Sequence, residues 1–242
     1  MLELRDIHWS LPDGEELIKG VNLTISHGKL TVITGPNGGG KTSLAKLIAG
    51  LYTPTSGQII LDGTDITNMN ITERARLGIA YAFQQPVRFK GLSVRQLLNV
   101  AAGRDMGEHE MCRILEKVGL CAVEYMDRPL DSHLSGGESK RIEIATVLAR
   151  EAGVLVFDEP EAGIDLWSFG SLIDTFEKLK TEKDGALLVI SHQERILDIA
   201  DEIILISDGE IKAHGSKDEV LPTLNINAKG CGCPKGREVV NG

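Results

Sequence analysis

The stretch Gly35-Pro36-Asn37-Gly38-Gly39-Gly40-Lys41-Thr42 decides the fold that this sequence predicts. It matches G-x-x-x-x-G-K-[ST], a loop whose glycines let the backbone wrap around an anion and point successive N–H groups at phosphates. The segment before it, from Leu30 to Thr34, is typical of a short buried strand. After it, apolar residues recur at the spacing of one helix face: Leu44, Leu47, Ile48 and Leu51. This context favours a phosphate-binding loop over a glycine-rich turn that matches by chance.

The chemistry of this stretch suits the phosphates of a nucleotide. The helix that follows presents its positive N-terminal end to an anion. We expect Lys41 to reach the β- and γ-phosphates and the Thr42 hydroxyl to hold Mg²⁺. The residues expected to bind the nucleotide are Gly35, Pro36, Asn37, Gly38, Gly39, Gly40, Lys41, Thr42 and Ser43.

Composition narrows the class of protein. The 242 residues fit one large domain or two small ones, and 42% of them are hydrophobic, enough for a core. The net charge of -9, from 26 Lys and Arg against 35 Asp and Glu, argues against nucleic-acid binding, which needs a basic face. With no long apolar run and a charged start, we expect neither membrane insertion nor a secretion signal. Four cysteines do not make a disulfide framework, so a cytoplasmic location is expected.

The pattern along the chain predicts an α/β fold. Residues 1–29 alternate polar and apolar side chains around a Pro-Asp-Gly turn, which indicates antiparallel strands, and residues 54–63 form a further hairpin-like piece. Later strand-like runs alternate with helical segments, which implies a mainly parallel sheet with helices on both faces. Between them, residues 93–150 show helical spacing only. The predicted parts of this single domain are a core of about 1–85 and 151–222, an inserted helical subdomain of about 86–150, and a tail of about 223–242.

Two carboxylates follow a predicted strand. The apolar run from Val154 to Phe157 ends in Asp158-Glu159, the Walker B pattern. We expect Asp158 to hold Mg²⁺, directly or through water, and Glu159 to polarise an attacking water. Such acidic pairs are common in loops, and it is the phosphate loop upstream that makes this one a strong signal.

A second glycine motif, Leu134-Ser135-Gly136-Gly137-Glu138, opens a predicted helix. Ser135 and Glu138 have the spacing of a capping box, which is a purely structural role. A capped helix with two glycines at its start also exposes N–H groups to an anion. We expect both roles.

The sequence LSGG before a helix, ahead of a Walker B pattern, is the signature of ATP-binding cassette (ABC) ATPases, and about residues 2–220 resemble this family. The resemblance implies a P-loop NTPase with a RecA-like core, an antiparallel β subdomain and an inserted helical subdomain. It also implies an ATPase that uses ATP and Mg²⁺ and works as an ATP-dependent head-to-tail dimer.

The family's functional positions transfer to this chain one at a time. Gln84 resembles the Q-loop glutamine that touches Mg²⁺ and the nucleophilic water, and His192 resembles the switch histidine at the γ-phosphate. The implied catalytic residues are Glu159, His192 and Gln84, and the implied Mg²⁺ ligands are Thr42, Gln84 and Asp158. The implied signature and D-loop residues that complete the partner's site are Ser135, Gly136, Gly137, Glu138 and Asp165.

Most family members place an aromatic residue before the first turn, where it stacks on adenine. That position resembles Leu11 here, with Trp9 two residues earlier. Trp9 therefore belongs either to the adenine site or to the core.

Within the family, two segments resemble SufC, the ATPase of Suf-type iron–sulfur cluster assembly. Gly136 to Ile144 follows GGE-x-KR-x-EI, and Ala82 to Val87 follows AFQ-x-PV. The resemblance implies a SufB/SufD-like scaffold as the partner. Pro160 and Glu161 depart from the usual DEIDSGLD of that group, which implies a divergent, simpler branch.

Three functions compete. The first is an ATPase that moves a soluble SufB/SufD-like scaffold, docked around Gln84 to Leu98 through exposed Phe89 and Leu92. The second is the ATP-binding subunit of an ABC transporter, docked on a membrane permease. The third is a nucleotide-sensing structural subunit, which the intact Lys41, Glu159 and His192 argue against.

The four cysteines fall into two pairs. Cys231 and Cys233 lie in the tail, either as a thiol site that a partner or second copy completes or as an exposed tail without a role. Cys112 and Cys121 lie in the helical region and are expected in the core.

Overall fold

The computed structural model describes residues 1–83, 91–130, 134–182 and 185–228. In these ranges the strands are β1 (Leu2–Ser10), β2 (Glu16–Ile25), β3 (Leu30–Thr34), β4 (Ser56–Leu61), β5 (Thr64–Asp65), β6 (Ile79–Ala82), β7 (Val154–Asp158), β8 (Ala186–Ile190), β9 (Glu202–Ser207) and β10 (Glu210–Ser216). The helices are α1 (Lys41–Ala49), α2 (Ile71–Arg76), α3 (Val94–Ala102), α4 (Glu108–Lys117), α5 (Ala122–Tyr125), α6 (Gly136–Ala149), α7 (Leu166–Glu182), α8 (Glu194–Asp198) and α9 (Lys217–Ala228).

The larger sheet has the strand order β10-β9-β3-β8-β7-β6. Strands β9, β3, β8, β7 and β6 run parallel, and β10 pairs antiparallel with β9 at one edge. Strands β3, β7 and β8 are buried at every position, as expected for parallel strands covered on both faces. The carboxyl ends of β3, β8, β7 and β6 therefore lie side by side along one edge of the sheet.

The smaller sheet is antiparallel, with the order β2-β1-β4-β5. Its long β1–β2 pair follows the predicted alternation, and β4 with β5 forms the hairpin predicted around residues 54–63. The prediction of an ABC ATPase fold, with one antiparallel and one mainly parallel sheet, is confirmed.

The parallel sheet separates two hydrophobic cores because successive side chains of a strand point to opposite faces. Val154 and Val156 join a core shared with α1 and the antiparallel sheet. Leu155 and Phe157 join the other core, which includes buried residues of α3, α4, α6 and α7. The helices of the predicted helical subdomain thus pack in the same core as one face of the sheet, and the domain division itself stays a prediction.

Three details differ from the sequence-based expectations. Helix α1 ends at Ala49 with Gly50 as a left-handed cap, so Leu51 lies beyond the helix and is exposed. Cys121 is exposed and Cys112 is half-buried, so the expectation that both lie in the core is wrong for Cys121. Helix α9 continues through Pro222 to Ala228, so the predicted start of the tail falls inside a helix.

Candidate active site

The phosphate loop connects β3 to α1, and its glycines are required by close packing against neighbouring backbone. A side chain at Gly35 would place its Cβ 1.9 Å from the carbonyl oxygen of Ile206. Gly40 has φ 100°, and a Cβ there would lie 2.8 Å from Ile18 Cδ1 and 3.0 Å from the carbonyl oxygen of Leu17. Because Gly40 is the N-cap of α1 and has no side chain, no side chain caps the first N–H groups of this helix. That end of the helix is suited to an anion.

Lys41 lies inside the loop. Its ammonium donates hydrogen bonds of 2.8 Å to the carbonyl oxygens of Gly35 and of Pro36, and the residue is 5% exposed. Burial lowers the pKa of Lys41, while the carboxylates of Glu159 and Asp158 act in the opposite direction. The charge is thus held by the loop and lies near both Walker B carboxylates.

Two hydroxyls converge on Asp158 at the end of β7. The Thr42 Oγ1 donates to Asp158 Oδ1 at 3.1 Å, and the Tyr81 hydroxyl donates to Asp158 Oδ2 at 2.8 Å. Burial raises the pKa of Asp158, which is 1% exposed, and both hydrogen bonds oppose that rise. Paired hydroxyl and carboxylate oxygens are a donor set that fits Mg²⁺.

Glu159 sits on a left-handed turn. Its φ is 46°, an uncommon value for a residue other than glycine, and such values cluster at functional sites. Its N–H donates to the carbonyl oxygen of Ile190 at 3.0 Å, which ties the turn to the end of β8. The candidate base is therefore held by its backbone against the segment that carries the candidate switch histidine.

That segment follows β8 and is held by a hydrogen bond to Glu161, a residue that follows β7. The buried Ser191 hydroxyl donates to Glu161 Oε1 at 2.5 Å and accepts the Gln193 N–H at 3.0 Å. Burial raises the pKa of Glu161, and its other oxygen, Oε2, is buried without a hydrogen-bond partner in the described part of the chain. His192, next to Ser191, is exposed.

The glycine motif before α6 forms the predicted capping box. The Ser135 Oγ accepts the Glu138 N–H at 3.2 Å, and Glu138 Oε2 accepts the Ser135 N–H at 2.6 Å. Glu138 also accepts a hydrogen bond from the Tyr125 hydroxyl and pairs with Arg128. The Tyr125 bond, with those from Ser135, lowers the pKa of Glu138 to about 2.

The start of α6 lies beside Gly163, which belongs to the segment Ala162 to Asp165 that resembles the family's D-loop. A Cβ at Gly136 would be 2.9 Å from the carbonyl oxygen of Gly163. Ser135 and Gly136 are exposed, and so is Asp165. These three predicted contributors to a partner's site are therefore accessible from outside.

Lys140 forms a buried ion pair within α6 and also links this helix to Phe83, the residue that follows β6. Lys140 is 1% exposed, and its ammonium lies 2.9 Å from Glu143 Oε2 and donates to the carbonyl oxygen of Phe83 at 2.8 Å. Burial raises the pKa of Glu143, and the adjacent ammonium opposes that rise.

Residues 18–162 match the family model described as ABC transporter. This match covers more than half of the chain and includes the phosphate loop, the signature and the Walker B carboxylates. The chain belongs to the ABC transporter family. It is an ATPase of that family.

Curated relatives agree with this assignment over nearly the full length. An uncharacterized ABC transporter ATP-binding protein of Methanocaldococcus jannaschii is 40% identical over 91% of this chain and 90% of its own length. A putative ABC transporter ATP-binding protein of Pyrococcus abyssi is 35% identical over 90% of this chain and 85% of its own.

Solved ABC structures share the fold. The protein cbiO1 from Clostridium perfringens, part of the ABC transporter complex cbiONQ, is 27% identical with a TM-score of 0.80 over 94% of this chain and 93% of that one. A dimeric ATP-binding cassette in a post-hydrolysis state, bound to ADP and Pi, is 25% identical with a TM-score of 0.78 over 90% of this chain and 99% of that one.

The predicted site residues of this ABC ATPase that the structure describes lie in two regions. The phosphate loop, Thr42, Asp158 and Glu159 meet at the carboxyl edge of the parallel sheet, and His192 follows the strand between them. The signature residues lie at the start of α6 next to Gly163. Gln84, Phe89, Cys231 and Cys233 lie outside the described residues, and their assignments stay predictions.

Trp9 belongs to the packing of the antiparallel sheet. Its ring stacks on Tyr52 with a centroid distance of 4.5 Å and an angle of 7° between the planes, and Lys46 lies 5.4 Å from the Tyr52 centroid. The indole packs against the core that contains α1. The core alternative for Trp9 is thus favoured, since one face of its ring is already covered.

Two contacts of the site were missed from the sequence: Tyr81 on Asp158, and Ser191 on Glu161. Glu161 had a signal, because it departs from the SufC pattern. Tyr81 had none, since a tyrosine in a predicted strand is most simply a core residue.

The described residues contain neither a candidate membrane span nor a candidate metal cluster. No helix there is both long and apolar enough to span a membrane. The same ranges contain no cluster of three or more His, Cys, Asp or Glu side chains arranged to hold a metal ion.

Proposed function

We propose that this ABC ATPase hydrolyses ATP at a site shared by two copies of the chain and transmits the resulting movement to a partner protein. The observation that carries the cis half of the site is the Thr42–Asp158 hydrogen bond, which brings the phosphate loop and the Walker B strand together. The oxygens of these two side chains would hold Mg²⁺, which supplies positive charge against the β- and γ-phosphates.

The remaining cis residues have distinct roles in this proposal. Lys41 and the loop N–H groups bind the phosphates, Glu159 orients and polarises the attacking water, and His192 contacts the γ-phosphate. Gln84 completes the Mg²⁺ and water contacts. The strained turn at Glu159 supports its role, because its backbone is held by Ile190 rather than left to adopt an ordinary conformation.

The second copy completes each site head-to-tail. Ser135, Gly136 and Gly137 present the open start of α6 to the γ-phosphate across the interface, and Glu138 holds that start in place. Asp165 adds a D-loop contact. The exposure of Ser135 and Gly136 supports a role outside their own chain. ATP binding then closes the pair and hydrolysis loosens it.

For the partner, we propose a membrane permease, so that the chain is the ATP-binding subunit of an ABC transporter. The support is that the relatives, 40% and 35% identical over most of the chain, are named as ABC transporter ATP-binding proteins. This reverses the order of the sequence-based hypotheses, in which a soluble scaffold came first. The expected docking surface still lies in the Gln84–Leu98 segment, although Leu92 is half-buried rather than exposed and Val94, Leu97 and Leu98 are buried.

A SufB/SufD-like scaffold stays as a second candidate partner for a cytoplasmic complex. It is favoured by the GGE-x-KR-x-EI pattern, in which Lys140 and Glu143 are the buried ion pair that contacts Phe83. The departures at Pro160 and Glu161 weaken this resemblance.

Identification of the native partner distinguishes between the membrane permease and the soluble scaffold. The tagged chain is purified from a native host in mild detergent with a non-hydrolysable ATP analogue, and its stoichiometric partner is identified by mass spectrometry together with iron and sulfide analysis. A polytopic membrane protein is the expected result. A soluble partner that carries iron and sulfide would overturn the transporter proposal and promote the scaffold.

The Phe89→Asp variant tests the docking segment, because it places a charge in a predicted apolar contact. We expect it to lose the partner and keep ATP affinity. Val123→Asp is the matched control, since Val123 is 94% exposed on α5 and a charge there has no burial cost. Equal retention of the partner by both variants would exclude Phe89 as a docking contact.

A further inference from the structure

We propose that Tyr81 is a positioning residue for the Mg²⁺ site: its hydroxyl holds Asp158 Oδ2, so that Oδ1 faces Thr42 Oγ1, and these last two oxygens would hold the metal. The inference rests on the Mg²⁺ role proposed for Thr42 and Asp158. It assigns a function to a side chain that no motif of the family singles out in this sequence.

The sheet register explains how Tyr81 reaches Asp158. On the parallel strands β6 and β7, Tyr81 pairs with Val156, and Asp158 lies two residues farther along the same face. A long side chain can reach such a diagonal neighbour on one face of a sheet. The ring of Tyr81 also contacts Phe83 edge-on, with centroids 4.9 Å apart at 89°. The phenol therefore approaches Asp158 from a ring whose direction is set by packing.

The two oxygens of the Asp158 carboxylate accept hydrogen bonds from different donors. Oδ2 accepts from Tyr81 at 2.8 Å, and Oδ1 accepts from Thr42 at 3.1 Å. A phenol is protonated at neutral pH, so Tyr81 is a constant donor. Asp158 is 1% exposed, and water has little access to replace either donor.

The consequence is a fixed orientation of the carboxylate. With Oδ2 held by the phenol, Asp158 presents Oδ1 on the side of Thr42, the other oxygen donor proposed for the metal. Partners that orient a metal-binding carboxylate in this way affect metal affinity by roughly 10- to 100-fold. Loss of the hydroxyl should therefore weaken the contribution of Mg²⁺ to nucleotide binding and leave the rest of that binding intact.

The test compares wild type with Tyr81→Phe, which removes only the hydroxyl. Calorimetry measures the affinity for the ATP analogue AMP-PNP in Mg²⁺ and in EDTA. We expect Mg²⁺ to strengthen binding in wild type, and the ratio of the two affinities to fall about 10-fold or more in the variant. The affinity in EDTA should be unchanged, since Lys41 and the phosphate loop are intact.

Tyr52→Phe is the matched control, because Tyr52 packs against the same hydrophobic core as Tyr81. Its ring stacks on Trp9, and its hydroxyl is not among the donors to Asp158 in the described chain. Its affinity ratio should match wild type. A double-mutant cycle with Asp158→Asn adds a readout that a purely structural role would not move. If Tyr81 acts through Asp158, then Tyr81→Phe should have no further effect on the ratio in the Asp158→Asn background.

Four results would contradict the proposed role of Tyr81. An unchanged ratio in Tyr81→Phe, an additive double mutant, or an equal fall in Tyr52→Phe overturns the role of Tyr81. Equal weakening in EDTA and in Mg²⁺ assigns the hydroxyl to the fold and also overturns it. If the AMP-PNP affinity of the wild-type chain does not respond to Mg²⁺, the proposed Mg²⁺ site at Thr42 and Asp158 is itself wrong. This result is distinct from a failure of the role proposed for Tyr81 alone.

Discussion

Glu159 shows at the scale of one residue how the motif and the tertiary structure combine. Its position after an apolar strand predicts a carboxylate beside the phosphates, and its φ of 46° is seen only in the structure. The turn is held by its N–H bond to Ile190 on the neighbouring strand. The side chain can therefore be changed conservatively without releasing this backbone.

We expect Glu159→Gln to bind ATP and to hydrolyse it about 10²- to 10⁴-fold more slowly, the range for a positioned base or water-orienting group. The amide keeps the shape and removes the charge. Single-turnover phosphate release measures the chemical step, and calorimetry measures ATP affinity. Glu194→Gln, an exposed carboxylate on α8, is the control. Turnover close to wild type in Glu159→Gln would assign the role to another group.

At the scale of one element, the capping box of α6 satisfies backbone N–H groups at the start of the helix. Ser135 and Glu138 satisfy each other's backbone N–H groups, and Glu138 is further bound by Tyr125 and Arg128. These contacts favour the ionised carboxylate and hold its pKa at about 2, below the ordinary 4.5. A structural cap and a signature motif therefore use the same side chains.

The pH dependence of stability follows from this depressed pKa. A carboxyl with a lowered folded-state pKa contributes stability that is present above about 4.5 and is lost as the pH falls towards about 2. Glu138→Gln should destabilise the chain by about 1.5 kcal/mol at pH 7, the scale of a hydrogen bond to a charged group. The difference from wild type should shrink as the pH falls through this window.

Urea unfolding at a series of pH values measures the effect on the free energy of unfolding. Glu124→Gln removes an exposed carboxylate from the adjacent α5 and is the control. A constant difference between Glu138→Gln and wild type down to pH 2.5 would contradict the low pKa.

At the scale of the whole molecule, the proposed sites are distributed over two chains. Lys41 lies in the phosphate loop, whereas Ser135 is exposed at the start of α6. In a head-to-tail pair each site takes Lys41 from one chain and Ser135 from the other. A defect in either residue then affects a different half of the shared site.

We expect Lys41→Ala and Ser135→Arg chains to be inactive separately and to regain ATPase activity when mixed. In the mixed dimer one site carries both substitutions and the other carries neither. Steady-state phosphate release measures recovery, and light scattering confirms the dimer. Mixing each variant with itself at the same total concentration is the control. No recovery in a confirmed mixed dimer would show that the sites are not shared.

The features that could be predicted from the sequence are local ones. The phosphate loop, the Walker B strand end and the capped signature helix are each contiguous segments. Their function depends on backbone geometry that glycine positions, apolar runs and capping residues specify within a few residues. For that reason the α/β class and the ATPase family could be predicted, and so could the places of Lys41 in the loop, Asp158 at the end of β7 and Ser135 at the cap of α6. Their roles at ATP stay predictions.

The contacts between side chains of different strands could not be predicted from the sequence. The order β3-β8-β7-β6 has no local signal in a chain where these strands are separated by helices. Three hydrogen bonds depend on that order or on helix packing: Tyr81 to Asp158, Ser191 to Glu161, and Lys140 of the Lys140–Glu143 pair to Phe83. These contacts join residues distant in sequence, and their free energy comes from burial and hydrogen bonding that exist only once the sheet has formed.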